Sequence, residues 1–144
     1  MTTRTSTTLR TALVVASDLE VLTAFQTALT SQGYVVILAR DLPTALLATT
    51  QHYFDLAIVS SRLGEGGDGW ALAGVLHLVF PRAFVAVLTP GEPDVVTFQS
   101  AINNGVSEIY DQSRRPNEIV GAIVAQSSGV SDANGTGSSS ETVQ

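Results

Sequence analysis

Serine and histidine are the residues of this chain that could support covalent chemistry. There is no cysteine in the 144 residues, which excludes a thiol nucleophile, a thiolate metal site and a disulfide framework. Ser60 ends an apolar run, DLAIVS at residues 55–60, and a serine needs a nearby base to act as a nucleophile. No Gly-x-Ser-x-Gly turn surrounds it. His52 and His77 fall in helical segments, where a lone histidine is typically a surface or helix-end residue. We therefore expect no enzyme activity.

A glycine-rich segment raises the question of nucleotide binding. Gly64-x-Gly66-x-x-Gly69 matches the dinucleotide-binding fingerprint between a strand and a helix. Glu65 and Asp68 would repel a pyrophosphate, and the segment lies in the third strand–helix unit rather than the first. The segment is therefore interpreted as a loop, and no cofactor is expected.

The pattern along the chain alternates between strands and helices. Buried strands are predicted from apolar, β-branched runs at residues 11–16, 34–38, 55–60, 84–88 and 106–110. Ser17 and Glu20 have the spacing of a capping box at the start of the first helix. Gly33 and Gly105 follow helical segments as C-terminal caps, and Pro116 suits the first position of the last helix. This alternation predicts an α/β domain with a parallel sheet and helices on both faces.

Four segments resemble those of a known family. They are the loop RLGEGGDG at residues 62–69, the pair LT at 88–89, the triplet NGV at 104–106 and residues 112–119. Through these segments, residues 10–126 resemble the CheY-like receiver domain of response regulators, which accepts a phosphoryl group in bacterial two-component phosphorelays. The resemblance implies a single flavodoxin-like domain, with a five-stranded parallel sheet of order 2-1-3-4-5.

The departures from this family fall on its phosphorylation site. Ser60 occupies the position of the phosphoacceptor aspartate, and Ala16 and Ser17 occupy that of the acidic pair. Gln112 replaces the lysine, in a chain that has no lysine, and Thr89 alone keeps the family's residue type. Mg²⁺ is normally held by carboxylates and phosphate oxygens, and a transferring phosphoryl group needs positive charge around it. The resemblance therefore implies a degenerate receiver, with no catalytic residue and no metal.

Composition and charge restrict the partners. Thirteen acidic residues outnumber seven basic ones, all arginine, for a net charge of −6, which argues against nucleic-acid binding. No apolar stretch approaches the ~20 residues that span a membrane, and the N-terminus lacks the apolar block of a secretory signal. We expect a cytoplasmic protein that does not bind membranes. Residues 1–9 are expected to form a disordered leader, and the Ser/Gly-rich residues 127–144 a disordered tail.

The expected function is phosphorylation-independent protein–protein interaction in signal transduction. In the family, the fourth helix, fifth strand and fifth helix form the output and dimer surface. The corresponding residues of this chain are Val96, Ile109, Tyr110, Arg114 and Val124. Val95, Phe98 and Ile102 share another face of the fourth helix, which we expect to pack inward. The partner would be a signalling protein or a second copy of the chain, in a homodimer.

Two alternatives remain open. A small, neutral, hydroxyl-rich pocket at the strand tips could sense a small ligand. The chain could also be a conventional phosphorelay receiver. Carboxylates separate these hypotheses, because an active receiver needs them and a neutral-ligand pocket does not.

Overall fold

The computed structural model describes residues 10–63 and 68–135, with side chains up to residue 126. The glycine-rich residues 64–67, the leader at 1–9 and the end of the tail at 136–144 lie outside the described residues. The strands are β1 (Thr11–Val15), β2 (Val35–Ala39), β3 (Leu56–Ser60), β4 (Phe84–Thr89) and β5 (Glu108–Asp111). The helices are α1 (Leu19–Ser31), α2 (Leu42–Gln51), α3 (Gly69–Val79), α4 (Val95–Asn103) and α5 (Pro116–Gly135).

All five strands are parallel and lie in the order β2-β1-β3-β4-β5, which confirms the predicted fold class and strand order. The register pairs Val15 with Val59 and Ser60 with Leu88. The carboxyl ends of β1, β3 and β4 therefore meet at one edge of the sheet. In such a sheet ligands bind at this edge, so the fold brings the predicted site residues together.

Alternating side chains divide the core into two layers. Val14 of β1 and Ile58 of β3 belong to the layer covered by α1 and α5. Leu13 and Val59, one residue along in the same strands, belong to the layer covered by α2 and α3. Because successive side chains of a strand point to opposite faces, a continuous apolar run fills both layers.

Aspartates cap four of the helices. The N-cap of α1 is Asp18, whose Oδ1 accepts the Glu20 N–H at 2.9 Å, so the prediction of Ser17 as the cap was wrong by one residue. Asp41, Asp68 and Asp94 cap α2, α3 and α4 in the same way. Their carboxylates accept the N–H groups that a helix start leaves unpaired.

The structure differs from the sequence-based expectations for the last two helices. Ala101 is the buried residue of α4, whereas Val95, Phe98 and Ile102, which we expected to pack inward, are exposed. Helix α5 starts at Pro116 as predicted, but continues to Gly135, nine residues beyond the expected domain end at 126. The extension contains no proline, and continuing a helix costs less than starting one. Among the described residues, no helix is both long enough and apolar enough to cross a membrane.

Candidate functional site

Ser60 lies at the tip of β3, in the position that the sequence predicted for the centre of the site. Its side chain is buried, with 8% of its surface exposed, and its Oγ donates to the carbonyl oxygen of Arg62 at 3.0 Å. Gly69, the first residue of α3, lies directly against the Ser60 carbonyl, where a Cβ would overlap the backbone. A backbone carbonyl does not take a proton from a hydroxyl at neutral pH, so this hydrogen bond holds Ser60 without activating it.

Ala16 and Ser17 follow β1 on the neighbouring strand tip. Ala16 is buried, and its N–H donates to the Ala39 carbonyl at 3.1 Å. Ser17 is exposed, and its carbonyl oxygen accepts from Arg40 Nη2 at 3.2 Å. Neither residue brings a carboxylate to the edge of the sheet.

Thr89 and Gln112 complete the row of strand tips. Thr89 Oγ1 donates to the Gly91 carbonyl at 2.6 Å and lies 3.5 Å from the Tyr110 carbonyl oxygen. The Gln112 N–H donates to the Thr89 carbonyl at 2.8 Å. Beside them, the Ser113 N–H donates to Asp111 Oδ1 at 2.9 Å, and this hydrogen bond holds the pKa of Asp111 below its usual range. The hydroxyl of Thr89 is thus used within its own loop.

An open pocket of about 280 Å³ lies over these strand tips. It is lined by Ala16, Ser17, Asp18, Val21, Ser60, Ser61, Arg62, Pro90 and Gln112. Thr89 lines the neighbouring pocket beside Trp70 instead. The lining adds a carboxylate, Asp18, and a guanidinium group, Arg62, to the hydroxyl-rich set predicted from sequence, and their formal charges cancel. Their positions could have revealed them, because each lies within two residues of a predicted strand-tip residue.

The donor set of this pocket does not fit Mg²⁺. Asp18 is the carboxylate residue of the lining. Its Oδ1 already accepts the Glu20 N–H, as the N-cap of α1. Mg²⁺ takes near-octahedral oxygen coordination and is normally bound by carboxylates together with substrate phosphates. Within residues 10–63 and 68–135, no cluster of three or more His, Asp or Glu side chains is placed to hold a metal ion.

Comparison with solved structures identifies the fold. A CheY-like response-regulator receiver domain from Methanospirillum hungatei JF-1 matches with a TM-score of 0.76 at 20% identity, over 85% of this chain and 96% of that one. The signal receiver domain of an HD-domain-containing protein from Pseudomonas fluorescens Pf-5 matches with a TM-score of 0.73 at 27% identity, over 87% and 100%. The chain has the receiver-domain fold.

A third similar structure contains a phosphorylated residue of its own. It is a response regulator from Burkholderia pseudomallei with a phosphorylated aspartic acid, a calcium ion and citrate, matching with a TM-score of 0.73 at 23% identity over 85% of this chain and 71% of that one. No protein-family model and no curated protein sequence matches the chain.

The receiver fold also places the residues predicted for the interaction face, and two of them do not lie on an exposed surface. Tyr110 is buried, with 5% of its surface exposed, and its hydroxyl oxygen accepts from Gln126 Nε2 at 3.1 Å. Burial raises the pKa of this phenol, and the nearby Glu108 acts in the same direction. Val124 is half-buried and packs against the same core layer. Because side chains alternate along β5, Ile109 points to the opposite face of the sheet from Tyr110, and it is half-buried, like Val124.

Arg114 and α4 supply the exposed part of that region. The Arg114 guanidinium carbon lies 5.7 Å from the centre of the Tyr110 ring, within the range of a cation–π contact. In α4, Thr97 lines a pocket with Trp70, and Asn103 and Asn104 line another with α3, so this flank of the helix faces α3. By helical periodicity, Phe98 and Ile102 lie on the opposite flank, toward β5, whereas Val96 lies closer to the α3 flank.

Proposed function

We propose that this domain is a degenerate receiver that acts in cytoplasmic signalling as a phosphorylation-independent protein-interaction module. The observation that carries the proposal is the hydrogen bonding of the hydroxyl groups at the strand tips. Ser60 occupies the phosphoacceptor position and donates its hydrogen to a backbone carbonyl, as Thr89 does in its own loop. The hydroxyl hydrogens of these two residues are thus engaged within the protein.

The charged groups that normally assist phosphoryl transfer are missing from the corresponding positions. In a receiver, carboxylates and Mg²⁺ would balance the charge that develops on the transferring group. Ala16, Ser17 and Gln112 contribute no charge at the corresponding positions. Arg62 lines the pocket as a cation, but a cation alone does not replace the metal or activate Ser60.

The receiver fold also leaves an apolar surface for a partner. Val95, Phe98 and Ile102 of α4 lie on the flank toward half-buried Ile109 of β5, and we call these four residues the α4–β5 face. Phe98 has half of its surface exposed, and Ile102 has 75%. Contiguous exposed apolar residues of this size often mark a protein-interaction site. The face replaces the set predicted from sequence, because Tyr110 and Val124 face the core.

A small polar ligand is the second candidate, and one observation favours it. The pocket over the strand tips brings Asp18 and Arg62 together with several hydroxyl groups. A ligand that carries both an anionic and a hydrogen-bond-donating group would find complementary partners there. In that case the domain would be a sensor whose ligand replaces phosphate.

An amide NMR titration with Mg²⁺ and beryllofluoride tests the proposal. We expect no saturable shift at Ser17, Ser60 or Thr89. Saturable shifts there would restore the conventional-receiver hypothesis, and shifts caused by small metabolites alone would favour the sensor.

Affinity capture then tests the face. We expect the same protein to be captured with and without a small-molecule phosphodonor, and to be lost with Phe98→Ser. The matched control is Leu19→Ser, because Leu19 is an exposed apolar residue of α1 with 58% of its surface accessible. If both variants retain the captured protein, the α4–β5 face is not its binding site.

A further inference from the structure

A cleft beside the strand-tip pocket lies between the loops that lead into α3 and α4. It has a volume of about 370 Å³, and its lining includes Arg62, Trp70, Glu92 and Thr97. Arg62 also lines the strand-tip pocket, whereas Gln112 lines that pocket and not this cleft. Neither function proposed above accounts for the aromatic and acidic side chains that the cleft brings together.

The wall on the side of α3 carries the only tryptophan of the chain. Trp70 is half-buried, because it packs against the core layer covered by α2 and α3 while it also lines the cleft. Its N–H donates to Asp68 Oδ1 at 2.9 Å, and the preceding residue, Gly69, lies directly against the Ser60 carbonyl. The first turn of α3 is thus fixed to the tip of β3 without any ligand.

The opposite wall is the loop at residues 90–93, which has the sequence PGEP. Its two proline rings fix the φ angles of half of the loop. Thr89 Oγ1 donates to the Gly91 carbonyl at 2.6 Å, and the Thr97 N–H donates to Asp94 Oδ1 at 2.8 Å where α4 begins. Because contacts within the protein hold both walls, a ligand would not have to order them, and ordering is a main cost of binding.

Two side chains of opposite charge line the cleft. Arg62 is exposed, and the hydroxyl of Ser60 binds its backbone carbonyl rather than its guanidinium group. Glu92 is exposed and lies before α4, whose N-cap is Asp94. A guanidinium group binds a carboxylate through two parallel hydrogen bonds, and a carboxylate binds an ammonium group. A ligand with one charge of each sign therefore fits this cleft better than phosphate, which Glu92 would repel.

The size and the apolar part of the lining restrict the rest of the ligand. Pockets that bind small molecules measure about 300–1,000 Å³, and this cleft lies near the lower end of that range. It therefore has room for a molecule with a single ring. The indole of Trp70 and the proline rings offer apolar surface to such a ring, and aromatic pairs attract each other beyond the area that they bury.

We propose that this cleft binds a free amino acid with an aromatic side chain. The carboxylate of the ligand pairs with Arg62, its ammonium group pairs with Glu92, and its ring lies against Trp70. The proposal goes beyond the interaction module and does not depend on it, because none of the four residues of the α4–β5 face lines the cleft.

An NMR titration of the ¹⁵N-labelled full chain with L-phenylalanine tests the proposal. The single tryptophan gives one indole N–H signal, which reports directly on the cleft. We expect saturable shifts of this signal and of the Gly91 and Thr97 amides, with a dissociation constant of about 1 mM or tighter. No saturable shift would overturn the proposal. Shifts centred on Ser17 and Gln112 would also overturn it, because the ligand would then occupy the strand-tip pocket.

Three analogues of phenylalanine test the chemical class of the ligand. Phenethylamine lacks the carboxylate, 3-phenylpropanoate lacks the ammonium group, and L-alanine lacks the ring. Each should bind at least about fivefold more weakly than phenylalanine, because each leaves one partner in the cleft unpaired. An analogue that binds as tightly as phenylalanine would show that the missing group is not recognised, and would overturn the assignment to an aromatic amino acid.

Variants of the two charged residues test where the ligand lies. Arg62→Gln and Glu92→Gln should each weaken phenylalanine binding by about fivefold. The matched control is Arg82→Gln, which changes an exposed arginine in the turn after α3, at the opposite edge of the sheet. Unchanged binding in both cleft variants would overturn the proposal. Phe98→Ser should also leave binding intact. Loss of binding in that variant, with an unchanged circular dichroism spectrum, would instead place the ligand on the α4–β5 face.

Discussion

The strand-tip pocket and the α4–β5 face use their side chains in opposite ways. In the pocket, Ser60 and Thr89 donate their hydroxyl hydrogens to carbonyls of adjacent loops at 3.0 and 2.6 Å. On the α4–β5 face, Phe98 and Ile102 stand in solvent although apolar surface gains free energy by leaving water. Hydrogen-bonded hydroxyls have little to gain from a ligand, whereas exposed apolar groups gain from a partner. This contrast supports the proposal that the domain binds a partner instead of accepting a phosphoryl group.

The largest expected effect distinguishes the two sides of β5. Tyr110→Ala removes a buried aromatic ring and its hydrogen bond to Gln126, and should lower the free energy of unfolding by about 3–4 kcal/mol. Ile109→Ala, one residue away and half-buried, should cost about 1–2 kcal/mol. Urea denaturation of both variants measures the difference. Equal costs would show that both side chains pack in the core, and would remove Ile109 from the α4–β5 face.

This pair also shows how far the sequence could predict the structure. The apolar runs and the glycines at 33 and 105 define the strands and turns, because buried parallel strands and left-handed caps have strong local signatures. Indeed, Gly33 and Gly105 have φ angles of 90° and 68°. Which of Ile109 and Tyr110 faces the core does not follow from such a local signature. Either could face the core in a four-residue strand, and the choice depends on where α4 and α5 lie against it.

The exposure of α4 could not be predicted for a related reason. Val95, Phe98 and Ile102 share one face of the helix, so periodicity predicts that this apolar face packs inward. The helix packs through its small and polar residues, with Ala101 buried and Thr97 and Ser100 half-buried, and its bulky residues point outward. The composition of the pocket also depended on tertiary structure. Asp18 and Arg62 line it because four strand tips converge, and the sequence alone locates these tips only approximately.

A smaller effect is expected where the site is held in place by backbone packing. Gly69→Ala would place a Cβ on the Ser60 carbonyl and 2.8 Å from Ser61 Cα, so the tip of β3 or the start of α3 must move. We expect a loss of about 1–3 kcal/mol in urea denaturation. Gly121→Ala is the matched control, because a Cβ there meets no atom within 4 Å and alanine favours the helix by about 0.5–1 kcal/mol. Equal stabilities of the two variants would argue against a tightly packed strand tip.

The smallest effect on stability should come from restoring the phosphoacceptor alone. Ser60→Asp places a carboxylate at a site with 8% exposure and removes the hydrogen bond to the Arg62 carbonyl, and should cost about 0.5–2 kcal/mol. It should take no phosphate from a small-molecule donor, because Ala16, Ser17 and Gln112 still supply neither metal ligands nor a cation.

The combined variant Ala16→Asp, Ser17→Asp, Ser60→Asp and Gln112→Lys should regain Mg²⁺ binding, because the strand tips that hold these residues converge on one edge of the sheet. Isothermal titration with Mg²⁺ and ³²P incorporation measure the two properties separately. Phosphate incorporation into Ser60→Asp alone would mean that Arg62 and Asp18 already provide the electrostatics of a working site. The pocket would then be a receiver site that lacks only its nucleophile, and its contrast with the α4–β5 face would no longer hold.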